Sequence, residues 1–195
     1  VGGHGDAVGG AIAGRADLIR DMRLEASIHH GSILSPFNAW LIARGASTLP
    51  LRMKAHAAGA QAVAEWLETH PSVTRVIYPG LSSHPQFDLA TRQMSNCSGM
   101  LSFQVGNVAD GERIARQMID RLEVIHYAVS LGHHRSLMFW METNALMETS
   151  FRLSGAAAKD YRDFAGDGIF RLSVGLEDAE DLWADFASAL SQSAA

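Results

Sequence analysis

Apolar and polar positions alternate with period two from Ile169 to Val174. Phe170, Leu172 and Val174 fall on one face and Ile169, Arg171 and Ser173 on the other, the pattern of a strand, and Gly175 breaks the run. A second pattern has helical period. Leu49, Met53, Ala57, Ala60, Val63 and Leu67 recur at three- and four-residue spacing, which predicts a long helix starting at Ser47 or Thr48 and ending at His70-Pro71. Ahead of it, residues 15–29 read as a helix. Ser35-Pro36 then starts another, because serine caps exposed amides and proline fits the first helical position; Phe37, Trp40 and Leu41 give it an apolar face and Gly45 is expected to stop it. Beyond Pro71 the order is strand, helix, strand, helix, strand over 73–78, 85–94, 100–105, 110–122 and 124–131. A further strand is expected over 135–141, followed by a less regular segment over 142–154 and a polar turn at Gly166-Asp167-Gly168. After the strand that carries Arg171, Asp178 is a natural N-cap for a helix striped by Leu182, Phe186 and Leu190. The change of pattern after the long helix places a domain boundary near Pro71.

Composition narrows the classes. A chain of 195 residues, 47% hydrophobic and 19% charged, can bury a sizeable core in one domain or parts of two, as a soluble globular protein. Its formal net charge of -5 and the lack of any Lys/Arg run interleaved with aromatics give no reason to expect nucleic acid as a partner. No apolar stretch approaches the roughly 18–20 residues that span a bilayer, so no membrane role is expected. Cys97 is the only cysteine, which excludes an internal disulfide and points to a reducing, cytoplasmic location. The first residue is Val1 rather than methionine, consistent with part of a longer protein.

Motifs for self-contained chemistry are missing. The adjacent pairs His29-His30 and His133-His134 cannot both face one ion from a regular element, and no His-Glu-x-x-His occurs, so no metal site is expected. There is no Gly-x-Ser-x-Gly nucleophile elbow, and Cys97 lies in no nucleophile signature. The glycine-rich start, residues 1–14, matches neither the P-loop nor a complete Gly-x-Gly-x-x-Gly after a strand. Glu177 and Asp178 read as cap and turn residues rather than an acid–base pair. Arg171 is the exception. A permanent charge inside an apolar strand costs several kcal/mol by order of magnitude unless it is paired. Either the chain supplies a carboxylate, or a ligand carboxylate takes the forked guanidinium. Spacing alone stops there, at an α/β or α+β domain with one unusual arginine.

A set of motifs taken in order goes further. Gly2-Gly3-His4-Gly5-Asp6, Ser35-Pro36-Phe37-Asn38-Ala39-Trp40-Leu41 with Arg44-Gly45, and Thr48-Leu49-Pro50-Leu51-Arg52-Met53 with His56 are followed by Tyr78-Pro79-Gly80-Leu81 with His84-Pro85, Ser130-Leu131-Gly132 and the segment 170–178. Together they resemble the Cys/Met-metabolism family of pyridoxal-phosphate enzymes, the cystathionine synthases and lyases, methionine gamma-lyase and O-acylhomoserine sulfhydrylases, almost end to end. The resemblance implies an α/β protein of the fold-type I PLP transferases. Residues 1–70 would be the tail of the large cofactor domain with the linking helices, and 71–195 the α+β C-terminal domain. It implies pyridoxal 5'-phosphate as cofactor, held by a Schiff-base lysine just upstream of Val1; the family's phosphate-binding and ring-stacking residues also lie upstream, so no residue of this chain is assigned to the cofactor and none is catalytic. It assigns substrate binding to Arg171, gripping the α-carboxylate, to Ser130 beside it, and to Thr149 as support.

The same resemblance implies gamma-elimination or gamma-replacement on a small amino-acid substrate, and a homotetramer built as a dimer of dimers. Val129 stands where cystathionine-handling members commonly carry glutamate, which favours a methionine gamma-lyase or O-acylhomoserine sulfhydrylase over a cystathionine lyase or synthase. His133-His134-Arg135 departs from the family's pattern, and residues 142–165 depart from its Met-Thr-His pattern. The alternatives of another class are a non-catalytic homologue or a C-terminal assembly module.

Overall fold

The computed structural model describes residues 1–191 and divides into two compact units, Val1–Pro50 and Leu51–Ala195. In the first unit, α1 (Ala16–Leu24) runs into a π-helical turn, Glu25–His29, and α2 (Pro36–Ser47) follows. Ser35 caps α2 as its sequence predicts, its Oγ accepting from the Asn38 N–H at 3.1 Å. Gly45 does not stop the helix, which runs two residues past it to Ser47. It is buried for another reason: a Cβ at Gly45 would lie 2.5 Å from the Gly2 carbonyl oxygen, so its lack of a side chain lets the glycine-rich N-terminal segment of the unit pass over α2. The Asn38 side-chain amide donates to the Val8 carbonyl at 3.1 Å and ties down the same segment farther along.

The second unit is built on a five-stranded sheet of order β1-β2-β5-β4-β3, with β1 Arg75–Ile77, β2 Met100–Gln104, β3 His126–Tyr127, β4 Leu137–Glu142 and β5 Gly168–Ser173. All pairings are antiparallel except β3 with β4. The central strand β5 is flanked on both sides, so its backbone groups are satisfied by neighbours and every one of its residues except Arg171 is buried. Its Phe170 and Leu172, with Val174 just beyond its end, enter the main core, where the long helix α3 (Leu49–Thr69) contributes Ala60, Val63, Ala64 and Leu67. The amphipathic α5 (Val108–Arg121) and α8 (Ala179–Leu190) cover the same face through Ile114, Met118, Leu182 and Phe186. Phe103 stacks on Phe170 at 5.0 Å between ring centroids and meets Phe186 edge-on at 6.0 Å. A fully buried Leu or Phe contributes about 1.5–3 kcal/mol, so this face carries most of the unit's stability.

On the opposite face, α7 (Gly155–Ala165) lays Tyr161 and Ala165 against Ile77, Ile169 and Met141, a smaller core that covers only one end of the sheet. Two short helices, α4 (Phe87–Gln93) and α6 (Thr143–Met147), complete the unit. The pattern of residues 142–165 does not disclose α7 or α6, because α7 opens on Gly155-Ala156-Ala157-Ala158, which carries helix propensity but no apolar stripe. The strand expected over 124–131 shrinks to β3, since the chain leaves the sheet edge after Ala128 donates to Met138 at 2.9 Å. Asp178 occupies the N-cap position of α8 without a side-chain cap bond. By compactness the chain parts after Pro50, and the apolar side of α3 lies in the second unit's core.

Two polar groups hold this unit at depth. The Asp185 carboxylate on α8 accepts from the N–H groups of Glu123, Val124 and Ile125 at 2.9, 3.1 and 2.7 Å, fixing the segment that leads into β3. Tyr78 is 1% exposed, and its hydroxyl donates to the Ser98 carbonyl at 2.9 Å. Replacing Asp185 with Ala strands three amides, and the expected loss is about 2–4 kcal/mol, read from urea unfolding. Burial pushes the Tyr78 phenol from 10.0 up to about 12, with negative charge on Cys97 acting in the same direction. The folded chain therefore keeps this proton where the unfolded chain has lost it, and its contribution is full below pH 10 and disappears as the pH rises to about 12. Unfolding curves across that window should flatten in Tyr78→Phe relative to the wild type.

Candidate functional site

The parallel pairing of β3 with β4 makes the site. Parallel neighbours cannot be joined by a tight hairpin, so after Ala128 the chain has to return along the strands before re-entering at Ser136. Its route is marked by side chains of β5. The Ser130 carbonyl accepts from Arg171 Nη2 at 3.0 Å, and the Gly132 N–H donates to Ser173 Oγ at 2.9 Å. Arg171 and Ser173 stand on the face that α7 leaves open, so the 129–135 connection lies across that open end of the sheet.

The far end of the connection is clamped as well. The Glu177 carboxylate accepts from the Ser136 N–H at 2.7 Å and from Ser136 Oγ at 2.9 Å, and Ser136 Oγ in turn accepts from the Gly175 N–H at 2.8 Å. Leu176 donates its N–H to the His134 carbonyl at 2.9 Å. A Cβ at Gly175 would sit 2.5 Å from both the Arg135 carbonyl carbon and the His134 oxygen, so this approach requires glycine. From the other side His56, on α3 and buried, donates Nδ1–H to the Val174 and Gly175 carbonyls at 2.8 and 3.0 Å.

Held at both ends, the connection carries a strained residue. Ser130 has φ of 104°, a conformation costing a non-glycine residue about 1–3 kcal/mol that surrounding structure must enforce. The strain turns its carbonyl onto Arg171. Its hydroxyl is exposed and has no hydrogen-bond partner among the described residues.

Arg171 is half-buried. In register it lies between Ser102 of β2 and Phe139 of β4, and its guanidinium carbon sits 4.4 Å from the centroid of the Phe139 ring. Burial lowers its pKa from the ordinary arginine value, yet a guanidinium stays charged at neutral pH. Among the described residues no carboxylate pairs with it, so the internal ion pair that spacing allowed is not formed. One Nη donates to Ser130 and the remaining donors are uncommitted, a fork presented beside a free hydroxyl. That arrangement suits a carboxylate.

Comparison with known proteins decides the family. Residues 1–191 match the family model described as "Cys/Met metabolism PLP-dependent enzyme". The chain belongs to the Cys/Met-metabolism PLP-dependent enzymes. It is 40% identical over 189 residues to an L-methionine gamma-lyase of Treponema denticola, covering 96% of this chain and 45% of that protein. It is also 40% identical over 194 residues to a cystathionine beta-lyase of Lactococcus lactis, covering 97% of this chain and 47% of that protein. A crystal structure of cystathionine gamma synthase from Xanthomonas oryzae pv. oryzae superposes with a TM-score of 0.79 at 36% identity, over 97% of this chain and 46% of that one. This member of the Cys/Met family thus spans about half the length of the relatives it matches.

Of the residues assigned by resemblance, Arg171 and Ser130 come together, whereas Thr149 bonds within its own turn, donating to the Leu146 carbonyl at 2.7 Å and accepting from the Phe151 N–H at 3.1 Å. The donor set fits the carboxylate end of an amino acid. It does not supply the aldehyde end of pyridoxal phosphate: the chain has two lysines, with Lys159 paired to Asp163 on the outside of α7 and Lys54 exposed on α3. Among the described residues no group of three His, Cys, Asp or Glu is placed to hold a metal, and no helix is long and apolar enough to cross a membrane. Sequence reasoning placed Ser173 on the face of Arg171 without its role as an acceptor, did not single out Phe139 or Ser136, whose roles depend on which strands pair, and read Glu177 as a turn residue when its carboxylate is the clamp.

Ser173→Ala removes the acceptor for the Gly132 amide at a site 2% exposed. The expected cost is about 1–2 kcal/mol, with faster hydrogen exchange at Gly132 and unchanged protection at Leu172 and Val174.

Proposed function

We propose that the protein works in a PLP-dependent enzyme that performs gamma-elimination or gamma-replacement on sulfur amino acids or O-acylhomoserine, with Arg171 and Ser130 holding the α-carboxylate of the substrate. The observation that carries this reading is the guanidinium fork of Arg171, with no carboxylate partner among the described residues, beside a Ser130 hydroxyl that has no hydrogen-bond partner among them. A half-buried cation with no internal counter-ion gains most from an anionic ligand, and an α-carboxylate matches its bidentate geometry. When bound, pyridoxal phosphate supplies an electron sink for carbanions at the substrate's carbon atoms. This chain's part is to seize and orient the amino acid, through Arg171 and Ser130, over a shelf whose far end is closed by α7.

The choice within the family rests on Val129. It adjoins Ser130, is 69% exposed and apolar, and offers no carboxylate to a distal ammonium, which favours methionine gamma-lyase or O-acylhomoserine sulfhydrylase chemistry over a cystathionine lyase or synthase. We place the enzyme in the cytoplasm, on its single free cysteine, and as a homotetramer, on the family resemblance.

The test uses the complete protein with L-methionine, L-cystathionine, and O-acetylhomoserine plus sulfide. Turnover of the first or third by a yellow protein whose colour shifts with borohydride is expected. A colourless protein inert to all three is the outcome for a non-catalytic homologue or an assembly module. Arg171→Ala should raise KM about ten- to a hundredfold, the equivalent of one or two charge-assisted hydrogen bonds, with kcat less affected; an unchanged KM removes the carboxylate role.

A further inference from the structure

Arg171 owes its orientation to more than the Ser130 carbonyl. That single bond fixes one Nη and leaves the guanidinium free to swing about it. The second constraint is Phe139, the cross-strand partner of Arg171 in β4, whose ring centroid lies 4.4 Å from the guanidinium carbon. The strand neighbours of Phe139 differ from it in direction. Met138 is wholly buried and Trp140 packs against the main core, its ring tilted against Phe170 at 4.8 Å between centroids, whereas Phe139 faces the open shelf with Arg171. On the other flank, the register partner Ser102 is too small to form a wall.

We propose that Phe139 is a positioning residue: its ring is the platform that holds the Arg171 fork flat and ready for the substrate carboxylate. This rests on the reading of Arg171 as the carboxylate anchor. A ring face attracts a guanidinium through its quadrupole, and the pair prefers a defined placement over the centroid. The ring also takes the place of water on one side of the cation without offering a competing anion. Strand pairing sets the spacing of the two residues, so the platform is rigid. Glutamate or aspartate at position 139 would instead neutralise the fork and compete with the substrate.

The experiment compares Phe139→Leu, Phe139→Tyr and Arg171→Ala in the complete holoenzyme, with L-methionine and its carboxamide as substrates or competing ligands. Phe139→Leu should weaken L-methionine, read as KM or Ki, by about three- to tenfold, the range expected for a partly desolvated cation–ring pair. Phe139→Tyr should stay within about twofold of wild type. The carboxamide, which lacks the anion, should be insensitive to either change. A second readout is independent of turnover: the Arg171 Nε–H resonance should lose its ring-current shift in Phe139→Leu and keep it in Phe139→Tyr. Equal losses of affinity in the Leu and Tyr variants, or equal effects on acid and carboxamide, overturn the platform. If Arg171→Ala weakens L-methionine while Phe139→Leu does not, the platform alone falls; if Arg171→Ala changes nothing, the anchor and the platform fall together.

Discussion

Parallel pairing of β3 and β4 at one edge of the sheet is the constraint from which the site follows. A hairpin would have carried the chain straight from one strand to the other and left the face of β5 bare. Parallel strands force the chain back along their length, and its route runs over the open end of the sheet, where Arg171 and Ser173 meet it. The strained backbone of Ser130 is a product of the same route, held from both ends by bonds to the central strand and the segment after it.

The uneven covering of the sheet explains why a charge can sit in β5 at all. One face is closed by α3, α5 and α8 around Phe103, Phe170 and Phe186, and no arginine would be tolerated there. The other face is closed by α7 at one end alone. Arg171 lies past the edge of that cover, close enough to lose part of its hydration and far enough to keep the rest. Partial desolvation is what makes it receptive to an anion, since a fully hydrated guanidinium would gain little from an exposed pair.

Much of this was legible in the chain, where the pattern is local. The alternation 169–174 yields β5 and puts Arg171 and Ser173 on one face, and the three- and four-residue spacing from Leu49 to Leu67 yields α3. Ser35-Pro36 announces its helix because capping is a contact within one turn. What stayed hidden involves partners distant in sequence. Gly45 reads as a helix stop until its neighbour Gly2 is seen, Glu177 reads as a turn residue until Ser136 arrives, and Phe139 is an ordinary strand aromatic until its register against Arg171 is known. The motif order 35–41, 48–53 and 130–132 placed the chain in its family, yet motif order says nothing of which carbonyl accepts from the arginine.

The clamped connection also separates two jobs within a short stretch of chain. Its backbone is tied down through the Ser130 carbonyl, the Gly132 amide, the His134 carbonyl and Ser136, whereas the side chains of Val129 and Leu131 point away and are 69% and 57% exposed. Substitutions at 129 and 131 can therefore change the exposed surface of the connection without disturbing the backbone bonds that hold it to Arg171 and Ser173. A scaffold of this kind lets the outward surface vary one residue at a time while the placement of the Arg171 guanidinium stays the same.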